Sequence, residues 1–246
     1  MLSFLLPFLV RLIPELMFRY PIGFDTPLYL MKARFYAMHP FAVRLRATSG
    51  IEYVSLMYRL LGWLYLTGAD MVLLMKIIPP LMYGLVGLCF HLFLRSCEGF
   101  SEGESLIAVL ILALSPPHLR ISWDMHKQVL STIFMFSALI SLRLREDRVR
   151  WPLFCLFYVL CALSHELVFS ILSLLVFLSL LARFRSSSKL ALVLYLSSLF
   201  VGLFLLLSWY GWDVRGMLSL ALTDYYREEY YAYGGAWWFV LVDRTF

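Results

Sequence analysis

Apolar residues in this chain come in long runs, separated by short polar clusters. A helix needs roughly 20 apolar residues to cross about 30 Å of hydrocarbon. The runs near that length predict about seven spans, at 2–17, 72–94, 104–118, 127–143, 151–164, 166–182 and 190–211. Pro79-Pro80 interrupts the second and predicts a kink there, because proline removes backbone donors. The run 51–67 is nearly as apolar but carries Glu52 and Arg59. Unpaired charges at mid-membrane are costly, so this run is expected to lie at the interface.

Composition supports lipid as the solvent. The chain is 62% hydrophobic and 15% charged, against about 25% charged in soluble domains. The expected fold class is therefore all-α, a polytopic membrane protein. The N-terminus lacks a basic segment and a small-residue cleavage site, so it predicts a retained first helix and not a signal peptide. The four cysteines form no CxxC pair, which predicts packing thiols and no zinc site.

With a cytoplasmic N-terminus and 51–67 at the surface, alternation of the spans sets the sides. Residues 18–70 form a first external loop, and 212–246 an external, aromatic-rich tail. The basic clusters at 143–150 and 183–189 fall inside, as the positive-inside rule expects. Arg19, Lys32, Arg34, Arg44 and Arg46 fall outside, against that rule. The net charge of +5 is modest, and no basic stripe with interleaved aromatics indicates nucleic acid as a partner. The last residues, WWFVLVDRTF, read as the start of a further helix.

The same alternation puts three polar groups on one face. They are Asp25 in Gly23-Phe24-Asp25-Thr26-Pro27, Asp124 in Arg120-Ile121-Ser122-Trp123-Asp124-Met125-His126-Lys127, and His165-Glu166. Asp25 and Asp124 also suit helix starts, as a cap and a dipole partner. His165-Glu166 sits between two apolar runs with almost no loop, where an ionisable pair is a functional candidate. A carboxylate can take a proton from an incoming hydroxyl, amine or amide. Arg120, Lys127, Arg34, Arg44 and Arg46 can neutralise a departing phosphate. Asp25, Asp124 and His165 are candidates for a divalent cation, Mg or Mn.

This pattern resembles the GT-C superfold, the multi-span glycosyltransferases that use lipid-linked sugars, including oligosaccharyltransferases, protein O-mannosyltransferases and aminoarabinose transferases. Asp25 in Pro21-Ile22-Gly23-Phe24-Asp25-Thr26 is similar to the family's essential Asp in the first external loop. Ser115-Pro116-Pro117-His118-Leu119-Arg120 followed by Asp124 is similar to its second external motif. Trp123-Asp124-Met125-His126-Lys127 looks closest to poorly characterised archaeal-type members. The resemblance covers 1–211 and implies interfacial helices at 28–46 and 51–67. It implies a polyprenyl-phosphate sugar donor, Asp25 and Asp124 as catalytic carboxylates, and Arg120, Lys127, Arg34, His165 and Glu166 as substrate-binding residues. Family members usually have more spans, and many carry a soluble C-terminal domain. Two other readings remain: a transporter or flippase using Lys76 and Pro79-Pro80, and a non-catalytic subunit of a larger membrane complex.

Overall fold

The computed structural model describes residues 1–23, 25–39, 44–47, 50–53, 55–182, 195–197 and 199–200. These are helical apart from one short ribbon. The elements are α1 (Leu2–Met17), α2 (Thr26–Met38), β1 (Arg44–Ala47), β2 (Gly50–Tyr53), α3 (Leu56–Leu66) and α4 (Met71–Cys97). They continue with α5 (Glu102–Leu114), α6 (Pro116–Asp124), α7 (His126–Ser141), α8 (Asp147–Ser164) and α9 (Glu166–Ala182). The strands pair antiparallel, Arg44 opposite Tyr53 and Ala47 opposite Gly50.

Local chemistry sets the element ends. The Asp70 side chain accepts from the Leu73 N–H at 2.8 Å and starts α4. Ser101 and Glu104 form a reciprocal capping box at the start of α5. Proline disfavours helical geometry in the residue before it, so Ser115 turns extended ahead of Pro116-Pro117. The chain bends there by 62° between α5 and α6. His165 is extended and separates α8 from α9.

Helix α4 runs unbroken through Pro79 and Pro80. It packs on α1, and a Cβ at Gly84 or Gly87 would strike Phe4, Phe8, Ser3 and Pro7. Absent side chains let the two backbones approach, as small residues do between membrane helices. Helix α7 touches α4 on one side and α8 on the other. One buried cluster joins α2, α3, α4 and α7 through Tyr29, Tyr58, Leu61, Met75 and Val129. A second joins α7, α8 and α9 through Ala138, Phe154, Tyr158 and Leu172.

The outer surface is apolar. Leu73, Ile77, Leu81 and Leu85 lie exposed along α4, and Leu167, Ile171, Leu174 and Leu178 along α9. Helix α4, at 27 residues, is long and apolar enough to cross a membrane by itself. Helices α5 and α6 meet that test only together, as one bent pair. Helices α1, α7 and α8 have 16, 16 and 18 residues, and the described part of α9 has 17. At 1.5 Å per residue they reach about 24–27 Å, short of about 30 Å of hydrocarbon.

The structure corrects several expectations. The all-helical character expected is seen apart from the ribbon; one described helix qualifies as a span alone, or two with the bent pair, so the expected count of about seven is not confirmed among the described residues. The span expected at 104–118 ends at Leu114, because the Ser-Pro-Pro sequence breaks it. The helix expected over 28–46 stops at Met38, and Arg44–Ala47 is a strand. The run 51–67 divides into β2 and the 11-residue α3, about 16 Å long and too short to cross. Of the span expected at 190–211, only 195–197 and 199–200 are described, and the aromatic tail lies outside the described residues.

Candidate functional site

The site is assembled where α1 ends, α2 begins, α6 meets α7 and α8 meets α9. Helix α1 carries Arg11 and Glu15 one turn apart, both fully buried and paired with each other. Arg11 Nε donates to the Ser122 carbonyl at 3.4 Å, and Nη2 to the Ile22 carbonyl at 3.5 Å. The Ile22 N–H donates to Glu15 Oε2 at 2.9 Å. The Thr26 hydroxyl donates to the same Ile22 carbonyl at 3.2 Å. The next residue, Gly23, has φ of +133°, a backbone conformation that L side chains rarely adopt. A Cβ there would collide with the Trp123 carbonyl oxygen. The chain before Asp25 is therefore pressed against the chain before Asp124.

Asp25 occupies the position before α2, yet its side chain makes no capping hydrogen bond. Asp124 ends α6, and the residue preceding α7 is Met125, which makes no side-chain cap. Asp25 therefore does not supply the cap hydrogen bond that its sequence position suggested. Both carboxylates act electrostatically on the Tyr29 hydroxyl. Burial above all pushes that phenol well above its ordinary value, and the charges of Asp25 and Asp124 push the same way. The Lys127 N–H donates to the Tyr29 oxygen at 3.3 Å. The Tyr29 ring packs on His126 at 4.7 Å and on Tyr58 at 5.1 Å between centroids.

Two ammonium groups share the Tyr58 ring. Lys32 Nζ lies 5.2 Å and Lys127 Nζ 5.7 Å from its centroid, within cation–π range. Lys32 is buried, held inward by α2, whose Tyr29, Ala33 and Tyr36 share that face. The Ser55 hydroxyl donates to the Ser164 carbonyl at 3.0 Å and brings the α8–α9 break alongside. Burial lowers the pKa of His165, the nearby Lys127 lowers it further, and Glu166 opposes them. Trp123 Nε1, both His126 ring nitrogens and His165 Nδ1 are buried without a well-formed hydrogen bond among the described residues. Burying such groups unsatisfied is costly.

Four of the residues expected from sequence thus gather here: Asp25, Asp124, Lys127 and His165. Arg120 sits at the rim, 79% exposed, with Nε 3.8 Å from Asp124. Glu166 is exposed at the start of α9. Arg34 points away from the site and lies over the Tyr65 ring at 5.8 Å. Lys32, Tyr29, Tyr58, Arg11 and Glu15 belong to the site without having been predicted in it. The signals were present: Lys32 is one turn from Tyr29, and Arg11 and Glu15 are four apart, which puts each pair on one helix face. Among the described residues no group of three His, Cys, Asp or Glu side chains could hold a metal, and Asp25, Asp124 and His165 form no such set. The four cysteines are free.

Helix α4 also uses the transport candidates structurally, since Lys76 Nζ donates to the Phe18 carbonyl at 2.5 Å. No family model, no curated protein and no solved structure matches the chain.

Proposed function

We propose that the chain is a multi-pass membrane glycosyltransferase that moves a sugar from a polyprenyl-phosphate donor to an acceptor at the external face. One observation carries the reading: Gly23, two residues before Asp25, packs on the carbonyl of Trp123, the residue before Asp124, and the charges of both carboxylates act on the buried Tyr29 hydroxyl beside Lys32 and Lys127. The apolar outer surface of α4 and α9 supports a lipid setting. A lipid-borne donor would reach such a site from the membrane boundary.

In the proposed reaction Asp25 takes the proton of the acceptor hydroxyl or amide. The acceptor atom attacks the anomeric carbon. The bond from that carbon to the phosphate oxygen breaks, and its electron pair leaves with the lipid phosphate. Lys127 and Lys32 offset the charge on the departing phosphate, with Arg120 at the rim. Asp124 orients the acceptor or the sugar. Positioned general bases contribute about 10²–10⁴-fold, which sets the scale of the test.

That test is transfer from a radiolabelled polyprenyl-phosphate sugar in membranes containing the protein. The expected result is label moved to an acceptor, and loss of at least about 100-fold with Asp25→Asn. Transfer that survives both Asp25→Asn and Asp124→Asn would overturn the proposal. The transport reading has less support, since it drew on a broken helix at Pro79-Pro80 and α4 is continuous there.

A further inference from the structure

We infer that the Arg11–Glu15 pair is a positioning device that sets the separation of the two candidate carboxylates. The functional half of this inference rests on the glycosyltransferase reading. The structural half does not.

A guanidinium has five N–H donors in a fixed fork, and a carboxylate has two acceptor oxygens. In a pair that only neutralised itself, the remaining donors and acceptors would point to the pair's own helix or to solvent. Here they reach two other segments. Arg11 Nη1 pairs with Glu15, Nη2 goes to the Ile22 carbonyl and Nε to the Ser122 carbonyl. The second Glu15 oxygen takes the Ile22 N–H. Ile22 lies three residues before Asp25, and Ser122 two residues before Asp124. Both groups of Ile22, N–H and C=O, are bound by this one pair. No side chain lies between the segments where they touch, because Gly23 sits against the Trp123 carbonyl.

The arrangement has a mechanical consequence. The stretch from Phe18 to Asp25 contains no helix or strand among its described residues. Its placement depends on what grips it. Glu15 and Arg11 grip it at Ile22, and the same Arg11 grips α6 at Ser122. Removing the pair lets the Asp25 segment drift from Asp124 without unfolding α1. Arg11 and Glu15 are positioning residues in this account, acting through the backbone and not on substrate.

The test is cross-linking in a background without native cysteines, with Ile22→Cys and Trp123→Cys joined by a short bifunctional methanethiosulfonate. The double variant Arg11→Met/Glu15→Met removes both charges together, and apolar replacement of a whole buried ion pair is often tolerated. The expected result is a cross-linking yield at least fivefold lower, with a melting temperature in detergent close to that of the parent. Arg11→Lys keeps the charge but loses the fork, and it should give an intermediate yield even if the double variant does not fold. A parental yield in either variant would overturn the inference. A second readout is the transfer assay, where the double variant should lower kcat with KM little changed, and Arg11→Lys should restore part of it. If the parent shows no transfer at all, the glycosyltransferase reading fails alone, and the cross-linking result still decides the positioning role.

Discussion

The two ends of the helical bundle use the same residue types in opposite ways. At one end Asp25, Asp124, Lys32, Lys127, Arg11 and Glu15 gather around buried tyrosines and histidines. At the other, charged residues meet in exposed pairs. Arg95 lies 3.6 Å from Glu102 with both side chains well exposed, and Arg150 pairs with Asp147. Arg143 donates to the Cys97 carbonyl at 3.1 Å, and Ser101 and Glu104 cap α5. Exposed pairs are worth about 0–1 kcal/mol. Breaking a buried pair costs about 3–5 kcal/mol, because the remaining charge is left without compensation. The second end is therefore mainly helix caps and surface charges, with Arg150 half-buried over the Trp151 ring. The first holds charge where holding it is expensive, which makes it the candidate functional end.

Substitutions can break or sharpen this contrast. The largest effect is expected on transfer. Asp25→Asn and Asp124→Asn should each reduce it by about 100-fold or more, and Arg143→Ala should leave it within about twofold, read in the donor-lipid assay. Arg11→Met alone should cost about 3–5 kcal/mol, since it leaves Glu15 charged and buried, whereas Arg95→Ala should cost at most about 1 kcal/mol. Thermal unfolding in detergent separates the two. Ser101→Ala removes the hydroxyl cap of α5 and should cost about 1 kcal/mol in the same measurement.

The smallest effect concerns acid. Burial and Lys127 hold the folded-state pKa of His165 below its ordinary 6.5. The unfolded chain therefore binds the proton more readily, and the stability His165 contributes is present above about pH 6.5 and lost as pH falls through the lowered value. His165→Asn should flatten the decline in melting temperature from pH 7 to pH 5. An unchanged slope would mean that His165 is not the group titrating there.

Much of the functional end was legible from the order of apolar runs. Holding 51–67 at the surface sufficed to place Asp25, Asp124 and His165 on one face, and the short α3 agrees with that choice. The choice of cation was less legible. Lys32 and Arg34 are two apart, so one helix cannot bury both on one face, and charge alone does not say which turns inward. The spacing to Tyr29, one turn before Lys32, was the better guide. The ribbon was missed because Arg44, Arg46 and Glu52 read as interfacial helix charges. Yet Leu45 between two arginines, then Thr-Ser-Gly, is a strand-and-turn pattern. The break at Ser115 was written in its two following prolines. The clamp was hidden for another reason. An Arg and Glu four apart look like a common helix pair, and only the fold brings Ile22 and Ser122 to them.

The most direct test of the contrast is sidedness. In a background without the four cysteines, single cysteines would replace Tyr20 and Arg120 at the functional end and Glu104 and Arg145 at the other, all exposed positions. An impermeant maleimide would then be applied to sealed membrane vesicles. The expected result is that Tyr20→Cys and Arg120→Cys label from one side and Glu104→Cys and Arg145→Cys only from the other. Labelling of all four from the same side would contradict a bundle that spans the membrane with its functional end at one face.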